Sequence, residues 1–334
     1  MRLSIYVLVL SSLVSTISFA AESAQSHKAS IHIFQMNNFT ETRVINSDDP
    51  TSCDIRTSVS LEDQNDVNAF PATLPKGCQN VAIDYDLYLG GDLTSESDIS
   101  DLSPLGAIQS VKGKLIIAHT SNLKDLTGLK KLTNVGDDFV IAKNSNLTSL
   151  SGLNELHQVE GTLSIANNPQ ITSLIGMPKL TTVHNLSIEG NGQLNDLTWL
   201  PSFQSITGYL EVSSNLSLTS LNGFYVASKT MGSLAIVDNP KLTNIDALSR
   251  LSNVEKSINI SDNDALTSLS SLENLKPLTD SDIPSKVLTI DYNKAGLSKL
   301  TDCKGVCNYL TWVNTLNTNN LTQQCESTIH TCWQ

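Results

Sequence analysis

Two acidic residues in the middle of the chain have the types and spacing that chemistry needs. Glu189 closes Leu186-Ser-Ile188-Glu, and Glu211 is the central residue of Leu210-Glu-Val212. If each Leu-x-aliphatic triplet is a short strand and the strands stack, the two carboxylates lie diagonally on neighbouring strands. Ser187, Tyr209 and Ser213 then share their side of the sheet. Paired carboxylates flanking a bond are what glycoside hydrolysis requires. The same acids and hydroxyls, with one aromatic ring as an anchor, also suit non-covalent recognition. The pattern implies no cleft, and two acids on an acidic chain are most simply hydrated. The expectation is therefore no catalytic residue, with Tyr209, Glu211, Ser187, Glu189 and Ser213 as ligand contacts. A carbohydrate-active enzyme is kept as a less favoured alternative.

Other constellations carry less. His119, His157 and His184 fall at different places in the sequence pattern, so spacing assembles no Ser/His/Asp set. Asp238, Asp262 and Asp264 raise calcium, but the Gly-Asp nonapeptide of calcium-binding rolls is missing, and no metal or cofactor is expected. A column of Thr148, Thr172, Thr219, Thr243 and Thr267 raises ice or surface binding; it is interrupted at Asn195 and reads equally as turn chemistry. Asn-x-Ser/Thr triplets at Asn38, Asn146, Asn185, Asn215, Asn259 and Asn320 matter only in a eukaryotic secretory route.

The elements that must position these residues repeat. Leu115-x-Ile117, Phe139-x-Ile141, Leu163-x-Ile165, Leu186-x-Ile188, Leu210-x-Val212, Leu234-x-Ile236 and Ile258-x-Ile260 start at steps of 24, 24, 23, 24, 24 and 24 residues. A fixed period in the twenties is the signature of a solenoid, in which no single turn can bury its own apolar face. The alternation within each triplet turns Leu and Ile inward and the middle residue outward. One outward row then reads Ile116, Val140, Ser164, Ser187, Glu211, Ala235, Asn259 and Thr289, and the next reads Ala118, Ala142, Ala166, Glu189, Ser213, Val237, Ser261 and Asp291. An Asn follows each strand: Asn144, Asn168, Asn191, Asn215, Asn239, Asn263 and Asn293. An inward amide at a bend satisfies backbone groups of adjacent turns, so this column is expected to be a buried structural ladder. Asn215 would therefore be a poor glycan acceptor. Gly128, Gly152, Gly176 and Gly223 form another column, where the backbone is expected to need a conformation costly to other residues. The period slips after Phe224 and again between Leu275 and Leu288, where about six extra residues form a loop.

Composition sets the surroundings. A formal charge of −12 with only 21 Lys plus Arg offers nothing to nucleic-acid phosphates or anionic lipid. Residues 1–20 read as a signal peptide: Arg2, an apolar stretch, then Ser18-Phe19-Ala20. The apolar run is short for a membrane span, so the mature chain is expected to be exported and to lack a span. None of the six cysteines interrupts the repeats. Cys53 and Cys78 lie ahead of them and are expected to pair; Cys303, Cys307, Cys325 and Cys332 lie behind, with three pairings open. Zinc is the rival reading, disfavoured by the lack of any C-x-x-C. The expected organisation is a signal peptide at 1–20, an N-terminal segment and cap at 21–90, a solenoid at 91–300 and a Cys-rich cap with one helix at 301–334.

The phrase Leu234-x-Ile236-x-x-Asn239-x-x-Leu242 resembles the leucine-rich repeat. The 24-residue turn carrying Leu147-Thr-Ser-Leu-Ser-Gly-Leu153 is closer to the L domain of receptor tyrosine kinases, and is similar to related fungal cell-wall and exported bacterial and protist proteins. The resemblance covers about 91–300. It implies a right-handed, L-domain-like β-solenoid of short parallel strands with little helix and disulfide-bonded caps. It also implies a non-enzymatic role, binding a protein or glycan at the cell surface, outside the cell or in the periplasm. A structural envelope protein without a discrete ligand is the alternative. The cysteine-rich module, membrane helix and kinase of the receptors are missing, as is the lipid-anchor signal of the fungal proteins, so neither signalling nor wall anchorage is carried over.

Overall fold

A computed structural model describes residues 51–92, 95–197, 205–222 and 230–275, and the backbone of 287–291. The expected signal peptide, the rear cysteines and their cap, Asn293, Gly223 and the 276–286 loop lie outside the described residues.

The strands are β1 (Ser52–Ile55), β2 (Val59–Leu61), β3 (Asn80–Ile83), β4 (Leu87–Gly90), β5 (Ile108–Val111), β6 (Leu115–Ala118), β7 (Asn134–Val135) and β8 (Phe139–Ala142). They continue as β9 (Gln158–Ala166), β10 (Thr182–Glu189), β11 (Ser205–Ile206), β12 (Tyr209–Ser213), β13 (Thr230–Val237), β14 (Asn253–Ser261) and β15 (Val287–Asp291). All pairings are parallel, and each turn lays its Leu-x-Ile strand on that of the turn before: Leu115 on Phe139, Leu163 on Leu186, Leu210 on Leu234, Ile258 on Leu288. The fold is thus a parallel β-solenoid. Its inward Leu, Ile and Phe side chains are fully buried from Leu87 to Ile260. Each large apolar side chain so placed contributes about 2 kcal/mol.

The buried Asn column closes each bend. Asn168 Nδ2 donates to Ile141 O at 2.9 Å, and Asn168 Oδ1 accepts from Asn144 N at 3.1 Å; Asn191 repeats this with Ile165 O and Asn168 N. The pattern runs on through Asn215, Asn239 and Asn263. Thr120 takes the column's first place and donates its hydroxyl to Asn144 Oδ1. The residue before each column member turns the chain with positive φ: His119, Lys143, Asn167, Ser214, Asp238 and Asp262 near +55°, and Gly190 at +65°. The ladder therefore carries backbone that costs about 1 kcal/mol or more at each non-glycine position. Two of the three described column glycines, Gly152 and Gly176, also have positive φ. Gly128 does not; there the reason is close approach, since a Cβ would strike the Leu102 carbonyl.

The stack starts earlier than the 24-residue period suggests. The segment expected as a cap at 21–90 already stacks as strand on strand, with Val59 on Leu87 and Leu87 on Leu115. Both steps are 28 residues, which conceals them from a search at 24. Helix α1 (Gln64–Thr73) fills the back of the first of these turns and buries Val67 and Phe70. Asp63 caps it by accepting from Asp66 N, Asp66 accepts from Glu62 N in return, and Pro71 limits its length. The Gln64 side chain fastens α1 to the next turn through Ser100 N, Asp101 N and Asp101 O. Cys53 and Cys78 are disulfide-bonded, and closing a loop of that length is worth roughly 3 kcal/mol in the chain-entropy model.

Candidate functional site

Three residues of each turn face outward on the Leu-x-Ile side, one more than the two rows drawn from the triplets. The additional row, just ahead of each Leu, reads Lys114, Asp138, Thr162, Asn185, Tyr209 and Ser233. It is built by a device that recurs at every second turn of this stretch. Asp86 Oδ1 accepts from Lys114 N, Asp138 Oδ1 from Thr162 N, and Asn185 Oδ1 from Tyr209 N, at 2.8–2.9 Å. Gly113, Gly161 and Gly208 precede these donors, and at each a Cβ would strike the accepting oxygen. Small residues at this corner thus let an Asx side chain lock the next strand in place. Sequence reading missed the row; the repeat register, extended one residue, carries the signal.

The row's front is a salt bridge, Lys114 Nζ to Asp138 Oδ2 at 2.8 Å. Burial by itself would raise the Asp138 carboxyl and lower the Lys114 ammonium. Their contact prevails, holding Asp138 below the usual carboxylate range and Lys114 above the usual amine. Further on, Asn185 Nδ2 donates to Thr162 Oγ1. Tyr209 is in register with Asn185, which is in register with Thr162. The Tyr209 side chain, expected as an anchor, is half-buried. Burial pushes its phenol up.

Tyr209 borders a square of four side chains. Ser187 is in register with Glu211, and Glu189 with Ser213, so the two acids occupy one diagonal and the two serines the other. Ser213 Oγ donates to Glu211 Oε1 at 3.1 Å. Burial raises the Glu211 carboxyl; burial, then the charge of Glu211, pushes Glu189 up to about 7. Ser187 Oγ and Glu189 Oε2 are both buried without a hydrogen-bond partner. The small outward residues are far less open than a bare sheet face implies: Ser187 is 3% exposed, Ser164 6% and Ser213 7%. The reason is spacing. A hydroxymethyl group about 4.8 Å from longer neighbours sits in their shadow.

The remaining candidates resolve into turn chemistry. The hydroxyls of Thr148, Thr219 and Thr243 donate to the carbonyls of Lys124, Asn195 and Thr219 one turn back, stitching turns together rather than presenting a free hydroxyl array. Asp238 accepts from Ser214 Oγ, and among the described residues no three His, Cys, Asp or Glu side chains gather to hold a metal ion. Asn146 is exposed and Asn215 fully buried in the ladder. No helix among the described residues is long and apolar enough to cross a membrane.

Residues 88–172, which begin in β4 and pass through β9, match the family model of the receptor L domain. With the stack of about 24-residue turns, that match makes the array receptor-L-domain-like. The family is one of ligand-binding domains, not of enzymes. No curated protein matches the chain.

Proposed function

From a receptor-L-domain-like solenoid, we propose that this chain is an exported, non-enzymatic binding module. Its outward sheet face, centred on Ser187, Glu189, Tyr209, Glu211 and Ser213, contacts a protein or glycan partner at the cell surface or outside the cell. One observation carries the reading: that face holds buried, unpartnered polar atoms, Ser187 Oγ and Glu189 Oε2, beside a second desolvated carboxylate. A purely structural surface gains nothing from polar groups withheld from water, which cost free energy until something pairs them. Export is supported by the composition of residues 1–20 and by the Cys53–Cys78 disulfide, a bond kept in oxidising compartments. The proposed organisation ends in a cap at 301–334 tied by Cys303, Cys307, Cys325 and Cys332.

A protein pull-down and a glycan array on the mature chain test this. The expected result is a saturable partner whose affinity falls at least about tenfold, roughly 1.4 kcal/mol, on Tyr209→Ala or Glu211→Ala. Association with envelope material that both substitutions leave unchanged favours a structural component instead. Glycan turnover abolished by Glu189→Gln with Glu211→Gln identifies an enzyme.

A further inference from the structure

We propose that the square of Ser187, Glu189, Glu211 and Ser213 receives a basic side chain of a protein partner, a lysine ammonium or arginine guanidinium, and releases it on acidification. The inference deepens the binding role proposed for this face and rests on it.

The square defines what is missing. Neighbouring strands are about 4.8 Å apart and alternate residues of one strand about 6.6 Å apart. Glu189 and Glu211 occupy one diagonal of such a square, near enough for the charge of Glu211 to act on the Glu189 carboxyl. Glu211 spends one oxygen on the Ser213 hydroxyl. Glu189 Oε2 and the nearly inaccessible Ser187 Oγ have no partner. The open positions are mainly acceptors, so the complement is a group with several donors and a positive charge. An ammonium offers three N–H groups and a guanidinium five.

No described side chain supplies that charge. The outward neighbours on β9 are Thr162, Ser164 and Ala166, and those on β13 are Ser233, Ala235 and Val237. At the corners, Glu160 of β9 faces Gln158, and His184 of β10 engages Thr207. Asp138, just ahead of β8, lies further forward and is neutralised by Lys114. The flanking surface identifies the carrier. In front of the square, Val140 and Ala142 are the part-exposed aliphatic residues of the face, whereas Ile116, Ala118 and Ala166 are 6%, 9% and 1% exposed. A basic residue carried on a protein surface brings apolar atoms against Val140 and Ala142 while its charge fills the square, which a free amine does not.

Release follows from proton competition. The basic group pairs with ionised carboxylates, yet Glu189 is held near 7, first by burial and then by Glu211. Below that pH the ligand must displace a proton, and affinity drops by up to about tenfold per pH unit. Above it both acids are charged and binding is strongest.

The test uses the full chain with carboxyl-labelled Glu, followed by NMR. The probes are N-acetyl-arginine-methylamide, N-acetyl-lysine-methylamide, the neutral N-acetyl-citrulline-methylamide, and glucosamine. We expect a basic amino-acid probe to lower the Glu189 titration midpoint by about one pH unit at saturation and, by the same linkage, to bind about fivefold more weakly at pH 6 than at pH 8. Ser187→Ala and Glu189→Gln should weaken it, whereas Asp238→Asn combined with Asp262→Asn should not. The proposal is overturned if neither basic probe moves the midpoint, if citrulline moves it equally, if the Asp238/Asp262 variant weakens binding as much, or if glucosamine alone acts. A partner found by pull-down whose affinity falls with Tyr209→Ala, but ignores both pH and Glu189→Gln, also overturns it while leaving the binding face intact.

Discussion

Replacing Glu189 with Gln should make the protein more stable at alkaline pH and leave it unchanged in acid. Burial and the Glu211 charge raise this carboxyl from 4.5 to about 7, so the folded state holds a proton that the unfolded chain gives up. A group raised on folding contributes its full stability below its unfolded value and loses that contribution as pH rises through its folded value. Wild-type stability should therefore decline between about pH 4.5 and pH 7. At about 1.4 kcal/mol per pH unit, the interval sets a ceiling of roughly 3 kcal/mol. Glu189 is only partly buried, and solvent screening reduces the effect to about 1–2 kcal/mol. Gln is nearly isosteric and never ionises, so Glu189→Gln should escape the loss. Thermal melts of both proteins across pH 4 to 8 should coincide at the acid end and diverge above pH 7, with the variant melting roughly 2–6 °C higher. Parallel curves, or a variant that melts lower at pH 8, would mean that the carboxyl is well solvated or finds a cation in the folded chain, and the account of the square fails with it.

Three further outcomes probe the frame around that square. Glu211→Gln should lower the Glu189 titration midpoint without returning it to the ordinary glutamate value, because burial is the larger cause and the neighbouring charge the smaller; carboxyl NMR reads it directly. Asn191→Ala should cost roughly 2–5 kcal/mol in urea unfolding, since it strips partners from the buried Ile165 carbonyl and Asn168 amide at once. Gly152→Ala should cost roughly 3 kcal/mol, as φ is +117° and a Cβ would meet the Leu126 carbonyl; Gly192→Ala, where a Cβ meets open space, is the near-neutral control.

Much of this molecule is legible from its residues because a solenoid turns linear periodicity into stacking. Leu163 and Leu186 fall in register because they are one period apart, and the inward amide of Asn191 follows from its distance to Ile188. The diagonal of Glu189 and Glu211 was legible on the same grounds. Two things escaped for reasons of length and reach. The first two turns repeat at 28 residues because helix α1 and the loop before Ile99 take up additional chain, which a 24-residue register cannot accommodate. The row just ahead of each Leu, from Lys114 to Ser233, went unread because the Leu-x-Ile triplet stops one residue short of it.

The sequence by itself determined which residues of the Leu-x-Ile triplets share a face, since the repeat fixes their inward and outward positions from Leu115 to Ile260. Only the tertiary structure decided how those outward residues meet water. Whether Ser187 is open or shadowed, and whether Glu189 is an ordinary acid or one held near 7, depends on the length and direction of side chains on the turns above and below. Desolvation is a property of the space around a group, and that space is assembled from residues a full turn apart in the chain.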